Sequence, residues 1–334
     1  MPDTSKADLL PLPYEGERMN SATLESQTTV SLPSATVTNT LPARSPSANR
    51  LPAQSFEVAT SWKWTIALWL FAVHALALVA LPMASATNVL LALGLWFVTG
   101  CLGVTIGFHR LFSHRSFRTS RLLGWFFALC GSLAFQGGVL EWVARHRMHH
   151  AYTDTDNDPH NARRGFWHSH ILWLFAGLEK FDSPERHRTF ARDIYRDPVL
   201  RIMSSTWTLA AMQIALLLTL ALTMGWDAAL WGVFVRLCAG YHCTWLVNSA
   251  THKWGYRNYE TQEDSRNCWW VALVTFGEGW HNNHHADDRA CRAGRKPWEF
   301  DLTYVVIRSL AAVGLVGGIV PPREERGSAD PSAT

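Results

Sequence analysis

Four long stretches of the chain are almost wholly apolar, and the segments between them are dense in Arg, His and Asp. The first covers 64–81, broken only by Thr65 and His74, and the second covers 89–108. The third and fourth cover 203–224 and 228–250, the last interrupted by Arg236. At 1.5 Å per residue each is long enough for a hydrocarbon core of ~30 Å. The pattern predicts four transmembrane helices, at about 62–82, 88–108, 203–224 and 228–250. Arg236 must face protein or a water-filled pocket, and His74 reads as a packed or interfacial side chain, not a ligand. Two shorter apolar runs differ. Residues 122–135 are expected to form an interfacial or re-entrant helix. Residues 303–320 are expected to lie on the membrane or dock on the bundle, and a fifth span there would carry the C-terminus across.

The polar stretches 109–202 and 251–302 are expected to form a helical cap. Residues 1–58, rich in Ser, Thr, Pro and Ala, and 321–334 read as disordered tails on either side of one membrane domain, 59–320. The N-terminal tail has no apolar core of signal-peptide type. The expected fold is all-α: four transmembrane helices under a cytosolic helical cap. The side follows from charge. The links 82–88 and 225–227 carry no Lys or Arg, whereas basic residues flank the opposite ends of the spans. The positive-inside rule then puts both termini and the cap in the cytosol.

Composition adds three constraints. The 17 Trp in 334 residues fit membrane-interface anchoring. A net charge of only +3 gives no general polyanion-binding character, so no nucleic acid is expected as partner. Six cysteines without a CxxC spacing read as free thiols, with neither a disulfide framework nor a thiolate metal site.

The candidate chemistry lies in the cap. Of 15 histidines, eight fall into three clusters: His109 with His114; His146, His149 and His150; His281, His284 and His285. A lone histidine is usually structural or merely exposed. Eight in three tight internal clusters, interleaved with Arg, Trp and Asn, point to a shared metal site. Both triplets have i, i+3, i+4 spacing, one face of a helix, so each is expected to aim its imidazoles at one point. His109 and His114 would lie about 140° apart on an ideal helix; they need a bend, or two metals that take one each. One ion takes four to six ligands, so so many histidines imply two metals.

Neutral imidazole suits Zn, Cu, Fe or Ni. Structural zinc sites are four-coordinate and usually Cys-rich, and a hydrolytic two-zinc site would bring a bridging carboxylate. Glu141, Asp154, Asp158 and Glu278 instead look placed to orient imidazole N–H groups. A pair of irons activating O2 beside a membrane, on a substrate drawn from the bilayer, is the remaining reading.

The strings HRLFSH at 109–114, HRMHH at 146–150 and HNNHH at 281–285, in that order and around four spans, resemble the integral-membrane fatty acyl desaturases. The likeness is greater to the Δ9 branch that includes stearoyl-CoA desaturase and bacterial and plant acyl-lipid enzymes. It runs from about residue 62 to 310 and includes Asp158-Pro159-His160-Asn161, Arg164-Gly165-Phe166-Trp167 with Ser169-His170, and the stretch from Thr244 to His252. The resemblance implies a di-iron site on His109, His114, His146, His149, His150, His252, His281, His284 and His285, with Asn248 acting through water. His252 is not marked by clustering. His160 and His170 would support the ligands from behind, together with Glu141, Asp158 and Glu278.

The resemblance also implies a bent apolar tunnel lined by Gln136, Trp142, Thr244 and Trp245, whose depth sets which C–H bonds face the metals. The implied reaction is O2-dependent insertion of a cis double bond, at Δ9, into a saturated C16 or C18 acyl chain. Electrons would come from a ferredoxin or cytochrome b5 with its own reductase, docking on the basic cytosolic face near Arg163 and Arg164. The expected location is a bacterial inner membrane. Acyl-CoA members carry an Arg-Asp pair before the second box and a basic pair in the cap. Here those places read Ala144-Arg145 and Gly177-Leu178, so the acyl carrier stays open between CoA, a lipid and a carrier protein. Two other functions fit less of the pattern: an acyl or alkane hydroxylase on the same irons, and a membrane metal transporter or sensor.

Overall fold

A computed structural model describes residues 61–177 and 179–326. The expected tail at 1–58 and residues 327–334 of the expected C-terminal tail lie outside the described residues. Helix α1, Trp64–Ala80, is extended by a 3-10 turn to Met83 and ends around Pro82, which cannot continue a helix. The Ser85 hydroxyl accepts from the Asn88 N–H and caps the next helix. That helix, α2, runs through Ala86–Ser113. It is α-wound to Trp96 and π-wound over Phe97–Ser113.

Helix α3, Arg121–Ser132, begins at a Ser120 cap and packs along the π-wound half of α2. The approach is backbone to backbone: a Cβ on Gly103 would lie 2.3 Å from the Gly131 nitrogen. The run expected to be interfacial or re-entrant is thus a 12-residue helix held against α2, with Leu122 and Phe126 exposed. Helix α4, Val139–Tyr152, carries the second histidine cluster. Short helices follow, among them α5, Phe166–His170. Helix α6 is Thr206–Met224. Helix α7 covers 226–249, with a π-wound turn at Trp231–Val235. Helices α8, Trp269–Val274, α9, His281–Ala286, and α10, Leu302–Ala312, complete the helical elements used below.

Three helices, Trp64–Met83, Ala86–Ser113 and Thr206–Met224, are long and apolar enough to cross a membrane. The run 228–250 is helical but less apolar, because α7 carries Arg236 and His242. Arg236 is buried at 2 % exposure. Its guanidinium donates to the carbonyls of Gly232 and Leu133, both at 2.8 Å, and to Gln213 Oε1 at 3.3 Å. It faces protein, as the cost of an arginine against lipid requires. Around the bundle, Leu68, Phe71, Leu90, Leu218 and Leu222 are exposed.

The run 303–320 does not form one long helix. Helix α10 has 11 residues, about 16 Å, and docks on α2 through Thr303 and Thr105, whose hydroxyls are 2.9 Å apart. Two antiparallel pairs tie segments down: β1, Ser61–Trp62, with β3, Ala176–Gly177, and β2, Arg118–Thr119, with β4, Val316–Gly317. The expectation of disorder from 321 onward fails for the first residues. Arg323–Arg326 is helical, and the Arg323 N–H and the Arg326 guanidinium both donate to Asp287.

One core cluster joins α2, α3, α4 and α10 around Phe108, Phe127, Val143, Met148 and Ile307. A second joins α1, α6 and α7 around Val73, Leu220, Val233 and Leu237. The histidine clusters lie at the end of the first core.

Candidate metal centre

The nine histidines converge in two groups. His109, His114, His146, His150 and His284 have ring nitrogens within 4.8 Å of one another, and so do His149, His252, His281 and His285. Neither triplet aims at one point. On α4, His146 and His150 enter the five-histidine group and His149 the other; on α9, His281 and His285 enter the four-histidine group and His284 the other. The reason is angular. Residues i and i+4 diverge by only about 40°, whereas i+3 and i+4 diverge by about 100°. The i, i+4 pair therefore serves one group and the i+3 member reaches the second.

His109 and His114 need neither a bend nor separate metals. The π-wound hydrogen bond from the His114 N–H to the His109 carbonyl, 3.1 Å, stacks residues five apart on one face. Their rings sit 4.8 Å apart, both in the five-histidine group.

The outer ring nitrogens mostly meet carboxylates. His149 Nδ1 lies 3.0 Å from both Asp158 oxygens, His252 Nδ1 3.1 Å from Asp154, and His109 Nδ1 2.8 Å from Glu278. His114 Nδ1 and His285 Nδ1 lie farther from Asp288 and Glu263, at 3.7 and 3.9 Å. With its proton held at Nδ1, a neutral imidazole presents a bare Nε2 lone pair to the centre. The Nε2 atoms nonetheless approach closely: His109 to His284 at 3.1 Å, His149 to His285 at 3.3 Å and His281 to His285 at 3.1 Å. His252 Nε2 is buried without a hydrogen-bond partner. Metal–imidazole bonds of about 2.1 Å at right angles would put neighbouring nitrogens about 3 Å apart. The donor sets therefore fit a metal ion in each group.

Burial, reinforced by the neighbouring imidazoles, pushes His146, His150, His281, His284 and His285 well below the ordinary histidine pKa, which keeps them neutral and able to ligate. Burial opposes charge on His149 too, but Asp158 outweighs it and raises that pKa. Burial alone would raise Glu278; Arg110 and His109 overcome this and hold it at about 2.

Several supports are not readable from the sequence. Arg110 is buried between Glu278, 2.9 Å away, and Asp301, at 2.9 and 3.0 Å. Asp301 also abuts Gly277, where φ is 112° and a Cβ would lie 2.7 Å from the Asp301 Oδ1; this tight turn leads into α9. Within α9 the two asparagines point away from the metal groups. Asn282 accepts from the N–H groups of Asn258 and Tyr259, and Asn283 donates to Glu299 and the Ala293 carbonyl. Asp288 and Glu263 follow no spacing that marks them as imidazole partners.

Between α2 and α7, beside α4, lies a cleft. His109, His146, His149, His281 and Glu278 line it together with Thr105, Thr275 and apolar residues such as Trp96, Val104 and Phe276. Of the expected tunnel residues, Trp142 and Thr244 line it, as does Asn248. The Trp142 ring stacks on His146 at 5.0 Å. Gln136 reaches the cleft through Thr244, donating to its hydroxyl at 2.9 Å. Trp245 is turned away, buried and stacked on Tyr241.

The expected supports divide similarly. His160 packs on His149, ring centroids 4.3 Å apart, and its backbone N–H donates to Asp158. His170 touches no member of either group; it contacts Ser249 and His242, each at 3.0 Å. Glu141 does not orient an imidazole. Its buried Oε2 lies where a Cβ on Gly138 would be 2.6 Å away, with Arg145 as its nearest charge. Arg163 and Arg164, the pair expected to meet an electron donor, face Asp264 and Asp156 at 2.8 and 3.7 Å.

Residues 86–299 match the family model for fatty acid desaturase. The chain is 47% identical to an sn-1 stearoyl-lipid 9-desaturase of Anabaena variabilis, over 78% of this chain and 97% of the relative. It is 46% identical to a protein of the same description from Synechocystis sp., over 78% and 81%. An sn-2 palmitoyl-lipid 9-desaturase of Nostoc sp. is 40% identical over 78% and 92%.

Proposed function

We propose that this chain, which belongs to the fatty acid desaturase family, is an O2-dependent acyl-lipid desaturase that inserts a cis double bond at Δ9 into a saturated C16 or C18 chain. The observation that carries this reading is the convergence of two all-histidine groups, members of both of which line a largely apolar cleft. The described residues of these two groups include no carboxylate. That favours two irons over a carboxylate-bridged hydrolytic pair, with Asn248 at the cleft completing the four-histidine group through water. A bound iron pair would supply the O2-derived oxidant that removes two hydrogens from the acyl chain.

The protein's own part is positioning. The carboxylates Asp154 and Asp158 hold the Nδ1 protons of His252 and His149 and so aim their Nε2 lone pairs inward, and Glu278 lies 2.8 Å from His109 Nδ1. Trp142 and the Gln136–Thr244 pair shape the cleft where the reacting methylenes would lie. Its apolar wall excludes water from the oxidising centre. We read α7 as a fourth crossing, its Arg236 charge covered by carbonyls, which leaves both termini and the histidine groups on the cytosolic side of a bacterial inner membrane. Electrons would arrive from a ferredoxin or cytochrome b5 at the cap.

Two observations favour a lipid over CoA as the acyl carrier. The relatives with the highest identity given above are described as acting on stearoyl-lipid. Where acyl-CoA members carry an Arg-Asp pair and a basic pair in the cap, this chain has Ala144-Arg145 and Gly177-Leu178, and Arg145 is already engaged by Asp182. Purified protein supplied with ferredoxin, its reductase and O2 tests this. The reading expects 9-octadecenoyl product from vesicles of a stearoyl glycerolipid and little from stearoyl-CoA; turnover of the CoA ester alone would contradict it.

A further inference from the structure

Three side chains have no part in that function: His74 on α1, and Cys238 and His242 on α7. We propose that they form a separate binding site for a monovalent thiophilic cation, copper(I), between the two helices. Cys238 and His242 are four apart and share one face of α7. His74 meets them from α1. One donor atom of each of the three lies within 4.8 Å of the other two, and all three residues are partly buried.

The hydrogen bonds around them leave a proton missing. His74 Nδ1 lies 2.7 Å from the Leu70 carbonyl, which can only accept, so the His74 proton sits on Nδ1 and its Nε2 is a bare lone pair. From the other side, the Ser249 hydroxyl donates to the Trp245 carbonyl at 2.8 Å. Its oxygen therefore accepts from His170 Nδ1 at 3.0 Å. His170 Nε2 is then an acceptor, and His242 donates to it from Nδ1 at 3.0 Å. His242 Nε2 is thereby left bare as well. The two bare nitrogens face each other at 3.0 Å, with a thiol beside them. Facing lone pairs repel, and within a membrane layer water is not at hand to separate them. A cation between them removes the conflict.

Bonds of about 2.0 Å to nitrogen and 2.3 Å to sulfur, spread in a plane, put the three donors about 3.5 Å apart. The observed separations, 3.0 Å between the nitrogens and within 4.8 Å for all three donors, bracket that value. Charge selects the ion. Binding replaces the Cys238 thiol proton, which leaves to solvent, and a thiolate and two neutral imidazoles around Cu⁺ then sum to zero, which a low-dielectric layer tolerates. A divalent ion leaves a net charge, and this group includes no carboxylate among the described residues to cancel it. Each histidine has an outer partner that fixes its ring, Leu70 for His74 and His170 for His242, as metal-binding imidazoles do. The sequence pattern reads Cys238 as a free thiol and His74 as a packed or interfacial side chain; only their meeting with His242 across two helices changes that.

The test titrates the anaerobically purified full-length protein, in detergent, with Cu(I) against bicinchoninate, counting iron in the same sample. One Cu(I) per chain is expected, with one sulfur and two nitrogen neighbours by copper-edge absorption. Cys238→Ser and His74→Gln should each weaken binding by more than the roughly 10- to 100-fold that loss of an outer partner costs, and His170→Ala by an amount within that range. Iron content should not change in Cys238→Ser. Absence of Cu(I) uptake overturns the proposal, and so does equal uptake by wild type and Cys238→Ser, a substitution too small to unfold the bundle. Preferential uptake of Zn(II) overturns the choice of ion. The proposal uses no step of the desaturase reading, so either can fail alone.

Discussion

His252 Nδ1 lies 3.1 Å from Asp154 Oδ2, across 98 positions of chain, while its Nε2 faces the four-histidine group without a hydrogen-bond partner. Asp154 thus sets both the tautomer and the aim of a proposed ligand that no clustering marks. Its backbone is left-handed, at φ 58°, a conformation Asn adopts more readily than Ala. Asp154→Asn should therefore keep the turn and weaken only the charge on His252. The expected result is a roughly 10- to 100-fold loss of metal affinity in the four-histidine group, with the five-histidine group still filled. Iron content by mass spectrometry during graded chelation reads this directly.

Arg110 is the cation between two buried carboxylates, Glu278 and Asp301. Arg110→Met leaves both uncompensated, a class of change that costs about 3–5 kcal/mol. Arg110→Lys restores the charge without the planar fork and should recover only part of the loss. Thermal unfolding in detergent should rank wild type above Lys, and Lys above Met. Equal stability of all three would show that the network contributes nothing.

The Gln136–Thr244 hydrogen bond tests the cleft. Thr244→Val keeps the volume and strands the Gln136 amide, at a cost of about 1–3 kcal/mol. If that pair holds the bend against which the acyl chain lies, turnover should fall about tenfold or more, and the double bond should spread to neighbouring positions. An unchanged rate with a single product isomer would mean that the chain does not lie against this pair.

Asp193 offers a pH test away from the metal groups. Burial pushes its carboxyl up, but Arg147 and Arg115 outweigh burial and hold it at about 2. A pKa below its unfolded value of about 3.9 means stability that is fully present above that pH and lost as pH falls towards 2. Asp193→Asn should therefore lower the melting temperature near neutral pH, with the difference from wild type shrinking between pH 4 and pH 2. A difference that does not depend on pH would assign the effect to packing.

The apolar runs and histidine strings made the helices and most of the converging ligands legible in the sequence. What failed did so for identifiable reasons. An i, i+3, i+4 triplet looks like one face, yet its members span about 100°, enough to serve two centres, as His149 and His150 do. The pairing of His109 with His114 depends on π-winding, which a 3.6-residue period cannot signal. His252 is marked only by resemblance, because its group is assembled from α4, α9 and the 3-10 turn Ala250–His252 that follows α7, far apart in sequence. The partners Asp288 and Glu263 are equally silent, since an imidazole can meet a carboxylate from any loop the fold brings near. Glu141 was misleading: it shares helix α4 with three of the histidines but lies on the face towards Arg145.

The central claim is desaturation, and the measurement that tests it most directly is the fatty acid profile of a bacterial host lacking its own desaturase. The host would express this chain with a ferredoxin or a cytochrome b5 and reductase, beside a His149→Ala control. Gas chromatography–mass spectrometry should show new 16:1 or 18:1 acids with the double bond at Δ9, in the membrane lipid fraction and absent from the control. A hydroxylated acid, or no new product from a protein shown to hold two irons, would contradict it.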